Sequence, residues 1–224
     1  MRIYEGLKET KVFSDFSLQE IENILRDIDI KQCEYSKDEI IAFEGEDINR
    51  VGIVLEGTIN VQKHYISGKI LNINHLKKGD LFGEVIIFSS MDKYPSTIVC
   101  DKRCKVAFIY KEDIVKLCKN DTKFLTKFMG ILSNKILMLN NRVRVLSYST
   151  IREKIADYLL NQYKIQGTMV LKIKDNREKL AENFGVARPS ISRELINMKK
   201  EDLIDYNKST ITIKDLDALE DIFM

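Results

Sequence analysis

At 224 residues, with 44% hydrophobic and 31% charged side chains, the chain has enough apolar material for real cores, and its length favours two small domains over one. A formal net charge of +2 gives no bulk electrostatic sign of nucleic acid, so any such reading must rest on local placement. No apolar run reaches the length of a membrane span, and the start Met1-Arg-Ile-Tyr-Glu5 lacks a signal-peptide core; the expectation is a cytoplasmic protein with no membrane partner.

Ser17-Leu-Gln-Glu20 is a capping box that predicts an amphipathic helix to about Ile28. The texture then changes to short alternating apolar segments: Lys31–Tyr35, Glu39–Phe43, Val51–Leu55, Thr58–Lys63, Lys69–His75 and Thr97–Tyr110. Gly45, Gly52, Gly57, Gly68, Gly79 and Gly83 punctuate them, the rhythm of an antiparallel roll or barrel, with Glu56-Gly57 and Ser67-Gly68 as hairpin turns. The four cysteines, Cys33, Cys100, Cys104 and Cys118, are scattered, so structural disulfides are not expected. Cys100 and Cys104 have the spacing to cross a hairpin as a redox or metal pair. They lack a second close pair, and both flank strand-like runs where buried thiols are common, so no metal site is assigned.

From Asp121 to Ser147 there is no proline and the pattern is helical. Leu125, Met129, Leu132, Ile136, Leu139, Val143 and Leu146 alternate spacings of four and three, an a/d stripe that predicts pairing with the same helix of a second copy. A second stripe, Phe124, Phe128 and Ile131, predicts packing back on the roll. The alternative is one long helix buried inside a single domain. Asn140 and Asn141 lie beside the a/d stripe, where polar side chains can fix register or meet a ligand.

Residues 175–195 then read as two short helices around a tight turn. Asp175 and Glu178 look like a capping box, Leu180, Ala181 and Phe184 form an apolar stripe, and Gly185 sits where a left-handed conformation ends the helix. Pro189 is tolerable only in a first helical turn, so the second helix starts near Ala187 or Arg188. Ile191 and Leu195 face inward, leaving Arg188, Ser190, Ser192 and Arg193 outside, a set able to enter a major groove and read base edges. Between Lys164 and Lys200 nine basic residues face four acids, a local excess able to follow a phosphate backbone. Beyond Leu203-Ile-Asp-Tyr206, the alternating Ser209–Lys214 suits a strand, and Lys208 would reach phosphate from such a wing.

Arg177-Glu-Lys-Leu-Ala181, Gly185-Val186, Arg188-Pro-Ser-Ile-Ser-Arg193 and Leu203-Ile204 resemble the DNA-binding domain of the Crp/Fnr family of bacterial transcription regulators. Phe43-Glu-Gly-Glu46, Val54-Leu-Glu-Gly-Thr-Ile59 and Gly79-Asp-Leu-Phe-Gly-Glu84 resemble the β-roll of cyclic-nucleotide-binding domains, in the family's order. The resemblance implies an α+β chain: an effector-sensing roll at 1–120, a dimerisation helix at 121–147 and a winged helix-turn-helix at 148–224. It implies a homodimer on near-palindromic double-stranded DNA, a small-molecule effector, and RNA polymerase as a further partner. The DNA contacts carried over are Arg177, Arg188, Pro189, Ser190, Ser192, Arg193 and Lys208. The effector pocket is carried over as Gly83, Glu84, Tyr94, Pro95, Ser96, Thr97 and Asn140.

One departure stands out. Family members that bind a cyclic nucleotide follow the Gly-Glu pair with an Arg-Ser or Arg-Thr pair whose arginine neutralises the phosphate. Here Gly83-Glu84 is followed by Tyr94-Pro95, which supplies neither a cation nor, at proline, a backbone donor. The expectation is an effector other than cyclic AMP, one with an aromatic or carboxylate group, or a roll that has lost sensing. No cofactor is expected: His75 stands where it could ligate haem as in some gas-sensing relatives, but a lone strand histidine is more often structural, and no cysteine precedes Cys33 to hold an iron–sulfur cluster. Nothing resembles a nucleophile–base pair, a phosphate loop before a helix or a metal cluster, so an enzyme is not expected. A small-molecule receptor module without a DNA role is the alternative.

Overall fold

The computed structural model describes residues 2–207 and 209–223, so the Lys208 assignment lies outside the described residues. It divides into two compact units, with the boundary between Lys135 and Ile136. Among the described residues, no helix is long and apolar enough to cross a membrane.

The first unit opens with helices α1 (Arg2–Lys8) and α2 (Leu18–Ile24). The Ser17–Glu20 capping box forms with both of its hydrogen bonds. The helix ends a turn earlier than the pattern predicts, at Ile24, where the chain passes into turns through Ile28. Six strands follow: β1 (Ile30–Tyr35), β2 (Ile40–Ala42), β3 (Arg50–His64), β4 (Ile70–Lys77), β5 (Leu81–Phe82) and β6 (Thr97–Tyr110). They pair antiparallel in the order β1-β6-β3-β4, with β2 also on β6 and β5 also on β3. Two expected segments, Val51–Leu55 and Thr58–Lys63, are a single strand. Glu56-Gly57 is a bulge within β3 and not a hairpin turn: the register against β6 shifts there, and Gly57, at φ +80°, lies against Arg103 and Cys104 so closely that a side chain has no room. Ser67-Gly68 does close a hairpin, with Gly68 at φ +80° and Tyr65 donating its N–H to the Lys69 carbonyl.

Strand periodicity explains why the middle of the sheet is apolar on both faces. Val51, Ile53, Ala107 and Ile109 pack with Leu7, Phe13 and Phe16 on one side; Val54, Val106 and Phe108 pack with Ile59 and Phe82 on the other. Gly52 lets the Phe82 ring lie on the backbone, since an added Cβ would stand 2.0 Å from that ring. Helix α3 (Lys111–Asn120) leads to α4 (Thr122–Ser147). Phe124 and Phe128 of α4 are buried in the first of these cores and Ile131 packs against it, as the second stripe predicts.

The second unit contains α5 (Ile151–Gln166), β7 (Val170–Lys172), α6 (Arg177–Phe184), α7 (Arg188–Lys200), β8 (Ile204–Tyr206), β9 (Thr210–Ile213), α8 (Leu216–Glu220) and a short 3-10 turn. The strands form a three-stranded sheet in the order β7-β9-β8, so the strand expected at Ser209–Lys214, observed as β9, lies between two others. The cap of α6 is Asn176, whose side chain accepts from the Lys179 N–H at 2.8 Å; Asp175 instead accepts from the Tyr158 hydroxyl at 3.2 Å. Gly185 ends α6 at φ +66° and α7 begins at Arg188, as expected. Replacing Gly52 with alanine should lower the stability of the first unit by about 1–3 kcal/mol, because the methyl overlaps the Phe82 ring. Urea unfolding measures this, and Phe82→Leu in the same background should recover part of the loss; equal stability of Gly52→Ala and the parent would contradict the packing described.

Candidate functional site

Two groups of residues carry chemistry, one in each unit. In the second, Ile191, Leu195 and Met198 bury one face of α7, which turns the opposite face outward. Arg188, Pro189 and Arg193 are exposed there and Ser190 and Ser192 are half-buried. Among the described residues neither Arg188 nor Arg193 has a carboxylate partner within ion-pair distance. Arg177, the first residue of α6, donates from Nη1 to Ser192 Oγ at 3.3 Å, and its guanidinium lies 5.2 Å from the Tyr206 ring centre. Arg177 and Arg188 line one cleft of about 270 Å³ together with Tyr206 and Asn207 at the end of β8. Two of the three lysines of this helix pair are paired with acids, Lys179 with Glu182 at 2.8 Å and Lys199 with Asp205.

Helix α7 is held from behind. Arg152 of α5 donates to Glu194 at 2.6 Å and, from both terminal nitrogens, to Glu201 at 2.7 and 2.8 Å. Those carboxylates hold the guanidinium protonated well above its ordinary range. The nearly buried Lys154 donates to the Phe184 carbonyl at 3.1 Å, satisfying a backbone acceptor at the end of α6.

In the first unit, a cleft of about 160 Å³ opens beside Gly83. Gly83 stands at φ +82°, and an added Cβ would come within 2.9 Å of Ile48, so only glycine makes this turn without strain. The turn tucks Glu84 inward until its side chain is 1% exposed. Tyr94, Pro95 and Ser96 line the same cleft; burial pushes the Tyr94 phenol up to about 12. Thr97 is buried but engaged elsewhere, its hydroxyl accepting from the Glu44 N–H at 3.2 Å. Asn140 is exposed on the part of α4 that belongs to the second unit, while the lining of the cleft ends at Lys135.

The expectation of a cleft without a cation needs correction. Lys135 of α4 lines it and forms an ion pair with Glu84, with the Leu81 carbonyl at 3.5 Å as a second acceptor. The sequence signal for this residue was available: the stripe Phe124, Phe128, Ile131 continues by one helical step to position 135. Lys63 and Lys93, which do not line the cleft, are engaged by acids, Lys63 with Glu44 and Lys93 with Asp47 at 2.8 Å.

Of the a/d positions on α4, Leu125, Met129, Ile136, Leu139, Val143 and Leu146 are exposed, whereas Leu132 is half-buried against the first unit's core. Leu137 and Met138, outside that stripe, are each 65% exposed. His75 shares a hydrogen bond between Nδ1 and Asn60 Oδ1 at 2.7 Å. Cys100 donates to the Lys102 carbonyl at 2.8 Å, and burial pushes the Cys104 thiol up to about 12. No group of three or more His, Cys, Asp or Glu among the described residues is arranged to hold a metal ion.

Comparison with known proteins bears on both sites. Residues 32–121 match the family model of the cyclic nucleotide-binding domain, and residues 153–222 match that of the Crp-like helix-turn-helix domain. The chain belongs to the Crp/Fnr family of transcription regulators. It is 21% identical over 183 residues to the cAMP-activated global transcriptional regulator CRP of Salmonella typhimurium, covering 80% of this chain and 87% of that one. It is 19% identical over 186 residues to the cAMP-activated global transcriptional regulator Vfr of Pseudomonas aeruginosa, with coverage of 80% and 87%. Among solved structures, the catabolite activator protein of Thermus thermophilus aligns with a TM-score of 0.54 at 19% identity, over 95% of this chain and 98% of that one. The structure of OCPA-complexed CprK aligns with a TM-score of 0.60 at 15% identity, over 90% of this chain and 92% of that one. At these identities the solved structures speak to the fold. This Crp/Fnr chain has the α+β architecture, roll then winged helix-turn-helix, that its motifs imply.

Proposed function

We propose that this Crp/Fnr regulator acts as a homodimer on near-palindromic double-stranded DNA, reads base edges with α7, and answers to an effector other than cyclic AMP. It would be divided functionally into a sensing roll at 1–120, a dimerisation helix at 121–147 and a DNA-binding domain at 148–224. The observation that carries the reading is the outward face of α7, where Arg188 and Arg193 are exposed without an acid partner among the described residues. Arginine pairs bidentately with guanine in the major groove, and a two-fold dimer would space its half-sites roughly 34 Å apart. Pro189, with no polar side chain, would read no base by hydrogen bonding. Arg177, next to Ser192, would bear on phosphate. A protein of this kind works by binding and performs no reaction of its own.

Dimerisation is supported by the exposed apolar stripe on α4. Ile136, Leu139 and Val143 are 59–60% exposed on a 26-residue helix, an arrangement that calls for a partner helix. The effector reading rests on the cleft. The two relatives named above are described as cAMP-activated. In this chain Tyr94 and Pro95 stand where the phosphate-binding pair would be, and the basic side chain that lines the cleft is already paired with Glu84.

Replacing Arg188 or Arg193 with alanine should cost about 1–3 kcal/mol at one base position per half-site. Selection from random duplex DNA, followed by gel shift, reads this out; an unaltered recognition motif in both variants would remove these residues from base reading. Ile136→Asp places a charge in an apolar interface on each protomer, where unpaired burial costs several kcal/mol, and should sediment as a monomer. Calorimetry of the purified protein with cyclic AMP should show no micromolar binding; such binding would overturn the reading of Tyr94-Pro95.

A further inference from the structure

The cleft in the roll is electrostatically complete before any ligand arrives. Its lining holds one acid, Glu84, and one base, Lys135, and the two are paired. Their exposures differ sharply: the Glu84 side chain is 1% exposed and the Lys135 side chain 37%. The carboxylate is therefore fixed and must always face a positive partner, since an unpaired buried charge is strongly destabilising. The ammonium sits at the end of a flexible four-carbon stem and regains its hydration simply by swinging outward. The rest of the wall is largely apolar, with Val61, Leu76, Phe82 and Ile98 facing the space.

We infer that the cleft takes a small organic cation, a primary ammonium on an apolar body, which replaces the Lys135 ammonium on Glu84. This deepens the reading of the cleft as the effector site and rests on it. The Lys135 side chain is itself the stand-in for such a ligand: an alkylammonium in the cleft lining, paired with a buried carboxylate. An anion is disfavoured by the same geometry. To bind Lys135 it would have to draw the ammonium off Glu84 and leave that carboxylate without compensation, and among the described residues no other basic residue lines the cleft. The cleft of about 160 Å³ is also below the usual size of a drug-like ligand site, so a short alkyl or aryl amine suits it. Because Lys135 belongs to α4, the exchange would untie that helix from the Gly83-Glu84 turn and so transmit occupancy to the helix that bears the exposed apolar stripe.

The test uses the full-length protein with n-butylammonium and phenethylammonium as probes, and butyrate, phenylacetate and cyclic AMP as counterparts. Binding is read by thermal shift and calorimetry. The amines should raise the melting temperature and the carboxylates should not. Lys135→Ala removes the internal competitor, so it should melt lower alone yet bind n-butylammonium about tenfold or more tightly than the parent, the affinity no longer being divided by the fraction of time the site is free. Glu84→Gln should abolish amine binding in either background with the far-ultraviolet circular dichroism unchanged. Should Lys135→Ala not fold, Lys135→Met keeps the apolar stem and carries the same expectation. Butyrate or phenylacetate binding that is lost in the Lys135 variant would overturn the inference and make Lys135 the recognition group. Absence of amine binding to both the parent and the folded Lys135 variant would overturn it as well. Amine binding that leaves DNA affinity unchanged would uphold the cation site while removing the effector reading, which keeps the two failures apart.

Discussion

The insertion of Phe124 and Phe128 into the core beside the roll is the constraint on which the chemistry of the first unit depends. The two rings stack at 6.1 Å with 9° between their planes, and Phe13 packs on Phe124 at 5.6 Å. Both are almost wholly buried. At 3.6 residues per turn, residues four, seven and eleven positions beyond Phe124 share its face of the helix. Burying the phenylalanines therefore aims position 135 at the roll. The hydrophobic effect sets the rotation of the helix, and that rotation brings Lys135 to Glu84.

The same logic runs in the other direction at the turn. Gly83 adopts a conformation open to glycine, which carries the Glu84 carboxylate away from water. A carboxylate so placed is tolerated only with a cation beside it. Helix and turn are thereby made to depend on each other: the core supplies the position of the lysine, and the lysine makes the buried position of the glutamate tenable. The buried Tyr94 phenol and the apolar walls complete a cleft with no net charge among its lining residues.

In the second unit the exposed face of α7 is likewise set from behind. Ile191, Leu195 and Met198 orient the helix by burial, and the Arg152 fork adds three charge-assisted hydrogen bonds along the flank. A planar guanidinium held at three points resists rotation better than a point charge would. Asp157 plays a similar part nearer α4, accepting from Arg144 and from the Tyr148 hydroxyl and tying the end of that helix to α5. Arg188 and Arg193 are left exposed on the opposite face.

Much of this was legible in the sequence because its causes are local. Capping at Ser17 and the stop at Gly185 depend on residues within a turn of one another, and the start of α7 follows from the fixed geometry of Pro189. The strand faces follow from a period of two, and the roll-facing stripe of α4 from a period of 3.6. What the tertiary structure alone decided involves partners distant in sequence. Glu56-Gly57 reads locally as a turn, yet pairing with β6 across more than forty residues holds it as a bulge inside one long strand. The shift of the α6 cap from Asp175 to Asn176 reflects the claim of the Tyr158 hydroxyl on the aspartate. The cation of the cleft comes from a helix 51 positions after Glu84, because proximity there is created by core packing and not by spacing along the chain. Periodicity and capping are properties of a segment, whereas the partner of a buried charge is a property of the fold.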